Sequence, residues 1–183
     1  AFDNDTDLSH VTGTESVSGY RAIGHYFIEN NFTEIESYWK YMYEGINYTN
    51  EILHYANNVP ASSAVDVKKK AKLIAEAKFL RGFLYFELVR LFGDVPLKLD
   101  ISIYGDNFKI ARTPKAEVYA QIVKDMEEAI PDMPWYYENP TNDGRPTKNS
   151  AIGMLARIQL FRGGYSLFQD GQIHRSDNYM DYY

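Results

Sequence analysis

A short aromatic segment between two prolines is the best candidate for binding chemistry in this sequence. Trp135, Tyr136 and Tyr137 are consecutive, and the amide of Asn139 follows two positions later. Flat aromatic rings stack on the C–H faces of sugars, while amide and carboxylate groups hydrogen-bond to the hydroxyls. The segment therefore predicts a carbohydrate-binding loop, although the same rings could instead cover the end of a stack of helices.

A second group of candidate ligand-binding residues lies near the start of the chain. Tyr20, Arg21 and His25 bring an aromatic ring, a guanidinium and an imidazole into one short segment. These three residues are predicted to contact a ligand, and local packing is the alternative. Trp39 lies on the apolar stripe of a predicted helix, a position more typical of a core residue than of a residue that stacks on sugar.

Carboxylates alternate along Asp3–Asp7, as they do in calcium-binding loops. The stretch departs from the EF-hand pattern, because Leu8 replaces the turn glycine and Thr14 replaces the final glutamate. A solvated acidic arm is the better interpretation. The histidines are scattered without metal-ligand spacing, so no metal site, cofactor or catalytic centre is expected. A glycosidase would need two facing carboxylates, and a chain with 25 acidic residues always offers such pairs by chance.

The composition is that of one globular domain with enough apolar residues to bury a core. Of the 183 residues, 45% are hydrophobic and 24% are charged, and the formal net charge is −6. The lack of a basic block argues against a nucleic-acid partner. The lack of cysteine excludes disulfides and thiolate metal sites. No apolar run is long enough to span a bilayer.

Four segments carry the apolar periodicity of helices, with capping and stop signals at their ends. The predicted helices run from about Thr33 to Asn57, over 65–92, from Thr113 to Ile130, and from Thr147 to the Gly163-Gly164 pair. Outside them, the prediction is a loop or extended arm over 1–19, a short helix over 20–29, and a connector with some strand character over 94–112.

The second helix is predicted to be central, because apolar residues cover more than half of its circumference near its end. Its two rows are Leu73, Ala77, Leu80, Leu84, Leu88 and Leu91, and beside them Phe79, Phe83 and Phe86. A helix that is apolar over so wide an arc is packed on two sides. The short link to the first helix predicts that these two helices are antiparallel neighbours.

Other residues of the helices have structural interpretations. Asn50 falls on or beside the apolar stripe of the first helix, and a buried Asn usually bonds a neighbouring backbone. Glu87 and Arg90 are three residues apart and could pair on one helix face. In the fourth helix the pattern predicts that five residues face the core: Ala151, Leu155, Ile158, Leu160 and Phe161.

The order of these pieces resembles the SusD/RagB family. The residues that carry the resemblance are Ala75–Arg81 continuing to Leu88–Leu97, then Trp39, Tyr43, Ile46 and Asn50 before them, and Arg112-Thr113-Pro114 and Gly144–Lys148 after them. The match covers roughly residues 35–165. It implies a mainly α fold of stacked antiparallel helix pairs resembling tetratricopeptide repeats, with long loops. It also implies that 1–183 is a single partial domain, the N-terminal part of a longer protein, with a helical core over 33–165.

The resemblance also implies a function without catalysis. Members of this Bacteroidetes family are lipoproteins on the extracellular face of the outer membrane, held by a lipid anchor that is not present in this chain. They capture oligosaccharide nutrients and deliver them to a SusC-like TonB-dependent outer-membrane barrel. Tyr20, Arg21, His25 and the 135–139 segment are then the expected glycan contacts. The aromatic segment could alternatively touch the transporter.

The residues leave other functions open. The same scaffold could bind peptides, or it could be a helical-repeat adaptor that only holds other proteins. A hydrolase has no support in the sequence. The sequence names neither the glycan nor the face that meets the barrel, and fold-level resemblance does not supply the ligand site.

Overall fold

The computed structural model describes residues 5–6, 9–10, 32–102, 109–138, 144–168, 170–175 and 179–182. The chain divides into two compact units, Ala1–Tyr43 and Glu44–Tyr183, and each is described by itself. In the first unit, β1 (Asp5–Thr6) pairs antiparallel with β2 (Ser9–His10), within the stretch predicted as a loop or extended arm. The short helix predicted over 20–29 lies outside the described residues. The single partial domain over 1–183 stays a prediction.

The described part of the chain is mainly helical, as predicted. Its α-helices are α1 (Thr33–Tyr55), α2 (Ala64–Phe92), α3 (Lys115–Ala129) and α4 (Lys148–Arg162). A second hairpin follows them, with β3 (Ser166–Leu167) antiparallel to β4 (Ile173–His174). Among the described residues, none of the helices has the length and hydropathy needed to cross a membrane.

The ends of the helices follow local capping chemistry. The Ser63 side chain accepts a hydrogen bond from the Asp66 N–H at the start of α2, and Thr147 forms a capping box with Ser150 at the start of α4. Gly93 ends α2 with a φ of 68°, a left-handed conformation that favours glycine. The next residue, Asp94, accepts a hydrogen bond from the Lys115 N–H (2.8 Å) and so caps α3. The turn after α2 therefore also positions the next helix.

Helix α2 is packed on two sides, which confirms its predicted central place. On one side Gly82 meets α3 so closely that an added Cβ would lie 3.1 Å from Met126 Cε and 3.3 Å from the Ile122 carbonyl oxygen. On the other side an added Cβ at Gly45 would lie 2.9 Å from Leu84 Cδ1. Further along, Asn50 of α1 contacts Arg81 of α2. Because the contacts advance along α1 as they retreat along α2, the two helices are antiparallel, as predicted.

The predicted leucine row of α2 is partly wrong. Leu73, Leu80 and Leu91 are 52%, 41% and 37% exposed. Ala77 and Leu88 of that row are buried as predicted, and so are Phe79 and Phe86 of the row beside it. The close approach of α3 requires a small residue at Gly82, and the buried face is turned away from the three exposed leucines. In α4, Ala151 and Ile158 are buried as predicted, but Leu160 and Phe161 are exposed, contrary to expectation, because only a narrow line of this helix is buried.

A buried polar network joins α1, α2 and α3 to the connector after α2. Arg81 donates through Nε and Nη2 to the two carboxylate oxygens of Asp125, both at 2.7 Å, and through Nη1 to Asn50 Oδ1 at 3.0 Å. The Asn50 amide then donates to the carbonyl oxygens of Lys98 and Asp100 at 3.1 Å. The backbone bonding predicted for Asn50 is thus confirmed. Asp125, Asn50 and Arg81 are 1%, 2% and 8% exposed, so water cannot replace these partners.

The connector is held by side chains more than by sheet hydrogen bonding. The Tyr85 hydroxyl donates to the Lys98 carbonyl oxygen and accepts from the Lys98 N–H, both at 2.7 Å. Burial raises the pKa of Tyr85 to about 12, so the hydroxyl keeps its proton. The predicted strand character of the connector is confined, within its described residues, to one antiparallel bridge between Val95 and Thr113.

Two ion pairs give structural roles to charged residues of the sequence motifs. Glu76, which is 5% exposed, accepts hydrogen bonds from the Arg145 guanidinium. This pair joins α2 to the turn before α4. Arg90 donates to Glu87 at 2.6 Å, which confirms the predicted pair on α2.

We predict that replacing Arg81 will destabilise the protein far more than replacing a half-buried lysine on the same helix. Arg81→Met leaves the Asp125 carboxylate buried without its partner, so the free energy of unfolding should fall by about 3–5 kcal/mol. Lys78→Met is the matched control, because Lys78 pairs with the half-exposed Glu128 across the same two helices at 2.8 Å. The control should lose less than about 1 kcal/mol. Urea unfolding measures both, and equal losses would contradict a dominant buried network.

A second pair of variants tests the close approach of α2 and α3. Gly82→Ala gains helix propensity but forces its Cβ against a backbone oxygen and Met126, so we expect a net loss of about 1–2 kcal/mol. Gly153→Ala in α4 is the control, since an added Cβ there meets nothing within 4 Å. It should stabilise the protein by up to about 1 kcal/mol. Thermal unfolding that moves both variants in the same direction would refute this account of the α2–α3 contact.

Candidate functional site

The aromatic segment predicted to bind sugar forms an open pair of rings. The Trp135 and Tyr137 rings are nearly parallel, with an interplanar angle of 9° and centroids 6.3 Å apart. That separation is within the range of direct offset stacking, about 4.5–7 Å, so no ligand ring fits between them. Tyr137 is 76% exposed and Tyr136 is 57% exposed, whereas Trp135 is half-buried. The aromatic pair, Trp135 and Tyr137, therefore offers a ligand its outer faces.

Backbone hydrogen bonds hold the aromatic pair against the start of α4. A 3₁₀ turn over Tyr136–Glu138 carries the segment, and the Glu138 carboxylate accepts from the Trp135 N–H at 2.8 Å. The Tyr136 N–H donates to Asn149 Oδ1 at 3.0 Å, and the Lys148 N–H donates to the Pro134 carbonyl oxygen at 2.8 Å. The segment is thus attached to a rigid helix, which lowers the entropy lost on binding a ligand.

A cation lies beside the aromatic pair. The Lys148 ammonium is 5.4 Å from the Trp135 ring centroid and donates to the Pro131 carbonyl oxygen at 3.2 Å. The half-buried Trp135 ring therefore already takes part in a cation–π contact. The more exposed Tyr137 is the ring better placed to stack on a ligand.

The structure does not describe the other residues that were predicted to contact a ligand. Tyr20, Arg21, His25 and Asn139 lie outside the described residues, and their ligand-binding roles stay predictions. Trp39 is half-buried on α1, with its ring centroid 4.9 Å from that of Tyr43. This contact agrees with its interpretation as a packing residue.

A groove of about 620 Å³, which was not predicted from the sequence, lies at the far end of α4. The groove lies between the end of α2, the start of α3 and the β3–β4 hairpin. Its lining combines aromatic with cationic side chains, among them Tyr119, Phe161, Tyr165, Phe168, Arg112 and Arg162. The sequence signal for it was weak, because the polar and aromatic tail after residue 164 has no helical or strand periodicity. Only an interleaving of aromatic and cationic residues could have indicated it.

A lysine attaches the hairpin to the groove. The Lys115 ammonium donates to Ser166 Oγ at 2.8 Å and to the Leu167 carbonyl oxygen, and it lies 3.6 Å from the Phe168 ring centroid. Burial lowers the pKa of Lys115, while Asp94 and Asp170 oppose that shift. Burial likewise raises the pKa of Tyr119 to about 12. The Lys115 ammonium and the Tyr119 hydroxyl therefore both lie in a part of the groove wall that is partly shielded from water.

The chemistry available at both places is recognition by stacking, hydrogen bonding and charge. Across the described residues, no group of three or more His, Asp or Glu side chains is placed to hold a metal ion. The aromatic pair suits the apolar faces of a sugar, and the groove suits a ligand with both a ring and an anionic group.

The sequence is similar to those of SusD-like proteins. The model of the SusD-like family, described as starch-binding associating with outer membrane, matches residues 2–160. SusD-like protein P2 of Formosa agariphila is 29% identical over 161 residues, which are 87% of this chain and 30% of that protein. The chain therefore spans less than a third of the length of this relative.

Solved structures share the fold. A SusD homolog from Bacteroides thetaiotaomicron is similar with a TM-score of 0.76 and 29% identity, over 85% of this chain and 30% of that one. A laminarin-binding SusD-like protein is similar with a TM-score of 0.62 and 30% identity, over 69% of this chain and 26% of that one. These likenesses confirm the predicted class, a mainly α fold of stacked helix pairs resembling tetratricopeptide repeats. Because the family model matches most of its residues, the chain belongs to the SusD-like family.

Proposed function

We propose that this chain is part of a non-catalytic protein that captures oligosaccharides at the cell surface. The observation that carries the proposal is the near-parallel pair of Trp135 and Tyr137 rings, of which Tyr137 is exposed, fixed to the start of α4. The pair presents flat apolar area without a deep cavity, which suits a sugar ring of an extended chain. Membership of the SusD-like family supports the same ligand class.

The proposal also includes a cellular location and a protein partner. The protein would be lipid-anchored at the extracellular face of the outer membrane, and it would pass its glycan to a SusC-like TonB-dependent barrel. Support comes from the family description, which associates starch binding with the outer membrane. Binding without turnover suits such a role, because the ligand has to be released intact.

The expected ligand contact is shallow, so affinity should be modest. One exposed ring supplies about 0.5–1.5 kcal/mol beyond area burial, which is a factor of roughly 2 to 10 in affinity. A laminarin oligosaccharide is the first neutral probe, because a similar SusD-like protein is named as a laminarin binder. Neutral xylan and starch oligosaccharides complete the panel, and peptide mixtures test the peptide-binding alternative.

We predict that Tyr137→Ala weakens binding of the best neutral oligosaccharide by about 2- to 10-fold, because an open stacking face is lost. Its high exposure means that the substitution should leave the free energy of unfolding nearly unchanged. Isothermal titration of the full-length protein gives the dissociation constants. Tyr41→Ala is the matched control, since Tyr41 is a similarly open tyrosine, 64% exposed on α1.

Two results would reject the proposal. One is the absence of binding to every oligosaccharide in the panel. The other is a Tyr137→Ala variant that binds the best neutral oligosaccharide as tightly as the unaltered protein does. If the protein bound peptides and no oligosaccharide, the peptide-binding alternative would replace the proposed function.

A further inference from the structure

The groove beyond the end of α4 carries more positive charge than its neighbours neutralise. Four of its lining residues are cationic (Arg90, Arg112, Lys115 and Arg162), and Asp94 is the acidic one among the described lining. One oxygen of Asp94 accepts the capping hydrogen bond of α3. The cationic excess is local, because the chain as a whole has a formal net charge of −6.

Two of these cations have no acidic partner in the described part of the chain. The Arg162 guanidinium lies over the Tyr182 ring, with Cζ 4.0 Å from the centroid, and its Nε has no hydrogen-bond partner there. Arg112 is exposed, and no described carboxylate forms an ion pair with it. The other two cations are occupied, since Arg90 pairs with Glu87 and Lys115 bonds the hairpin. Arg112 and Arg162 are therefore the residues left to meet an anion.

An open tyrosine lines the same groove as these two guanidinium groups. Tyr165 lines the groove and is 71% exposed. Arg175 packs against it, with Cζ 4.9 Å from the ring centroid. Such an arrangement serves two parts of a ligand at once, because the ring stacks on the tyrosine while a guanidinium fork binds a planar or tetrahedral anion. A neutral sugar would leave the guanidinium charge unused.

We propose that this groove, which we name the cationic groove, binds an acidic sugar unit, with Arg112 and Arg162 holding its anion and Tyr165 stacking on its ring. The anion is a carboxylate, as in a uronate, or a sulfate ester, since both accept paired N–H donors. That the ligand is a glycan rests on the proposed function. The anionic class rests on the unpaired arginines.

The cationic groove is a separate site from the aromatic pair. The pair lies against Lys148 at the first turn of α4, and the groove includes Arg162 at the last turn. Fourteen residues of helix separate them, which is about 20 Å. An extended oligosaccharide of several units could reach both, and a short one would occupy only one of them.

The test compares short probes of matched size on the full-length protein by isothermal titration. The probes are tetragalacturonate, a sulfated galactan tetrasaccharide, neutral cellotetraose and tetraglutamate. We expect at least one acidic tetrasaccharide to bind about tenfold more tightly than cellotetraose, with the advantage shrinking as salt rises. The tighter of the two acidic sugars identifies the anion.

The variant Arg112→Gln/Arg162→Gln should lose that advantage by at least about tenfold, because both guanidinium groups are removed. Lys124→Gln is the matched control, since it removes one positive charge from a side chain that is 64% exposed on α3. It should leave acidic-sugar binding unchanged. If Arg162→Gln lowers the melting temperature, Arg112→Gln alone carries the test at an exposed position.

Four outcomes would overturn the inference. The double variant could bind acidic sugars as tightly as the unaltered protein does, which would also follow if other parts of the protein cover the groove. Tetraglutamate could bind as tightly as tetragalacturonate, which would assign the groove to an acidic peptide. Cellotetraose could bind while both acidic sugars do not, which would remove this inference and leave the proposed function standing. Binding of no sugar at all would reject both.

Discussion

The buried ion pair between Arg81 and Asp125 fixes how the helices of the second unit are arranged. Both groups are removed from water, so each needs its charge and its remaining hydrogen-bonding atoms satisfied by neighbours. The neighbours are specific: Asn50 accepts the third Arg81 hydrogen bond, and Gln121 donates to Asp125 at 2.9 Å. A sliding of α1 or α3 along α2 would break several of these bonds at once. Apolar packing alone tolerates such shifts more easily, because it has no preferred direction.

This constraint explains why the most recognisable residues of the chain describe a scaffold and no ligand. Arg81 lies in the signature helix, and Glu76 of the same helix accepts from Arg145 before α4. Asp94, just past the end of that helix, caps α3. Each of these motif residues thus connects two elements of the fold. The side chains proposed to contact a ligand, such as Tyr137 and Tyr165, make none of these connections, so they can differ without loss of the fold.

The sequence predicted the features that local chemistry determines. The four helices and the cap at Thr147 follow from periodicity and from side chains within one turn of each other. It could not place features that depend on distant partners. Arg81 and Asp125 are 44 residues apart, and the exposure of Leu73 depends on the direction from which α3 approaches. The sequence identified Trp135 and Tyr137 as candidates, but their near-parallel geometry depends on a 3₁₀ turn. The aromatic tail gave no periodic signal, so the cationic groove emerged only from the structure.

The way the β3–β4 hairpin is attached accounts for the open character of the groove. Lys115 holds the hairpin through Ser166 and Leu167 and contacts the Phe168 ring. A polar attachment of this kind needs little apolar burial, so Tyr165 and Leu167 remain 71% and 63% exposed. Had the hairpin been held by a hydrophobic core, those side chains would have been covered. The aromatic pair at the other end of α4 follows the same principle, since backbone hydrogen bonds hold its turn and leave Tyr137 open. In both places hydrogen bonds and cation–π contacts hold the segment, and they leave aromatic surface open to solvent.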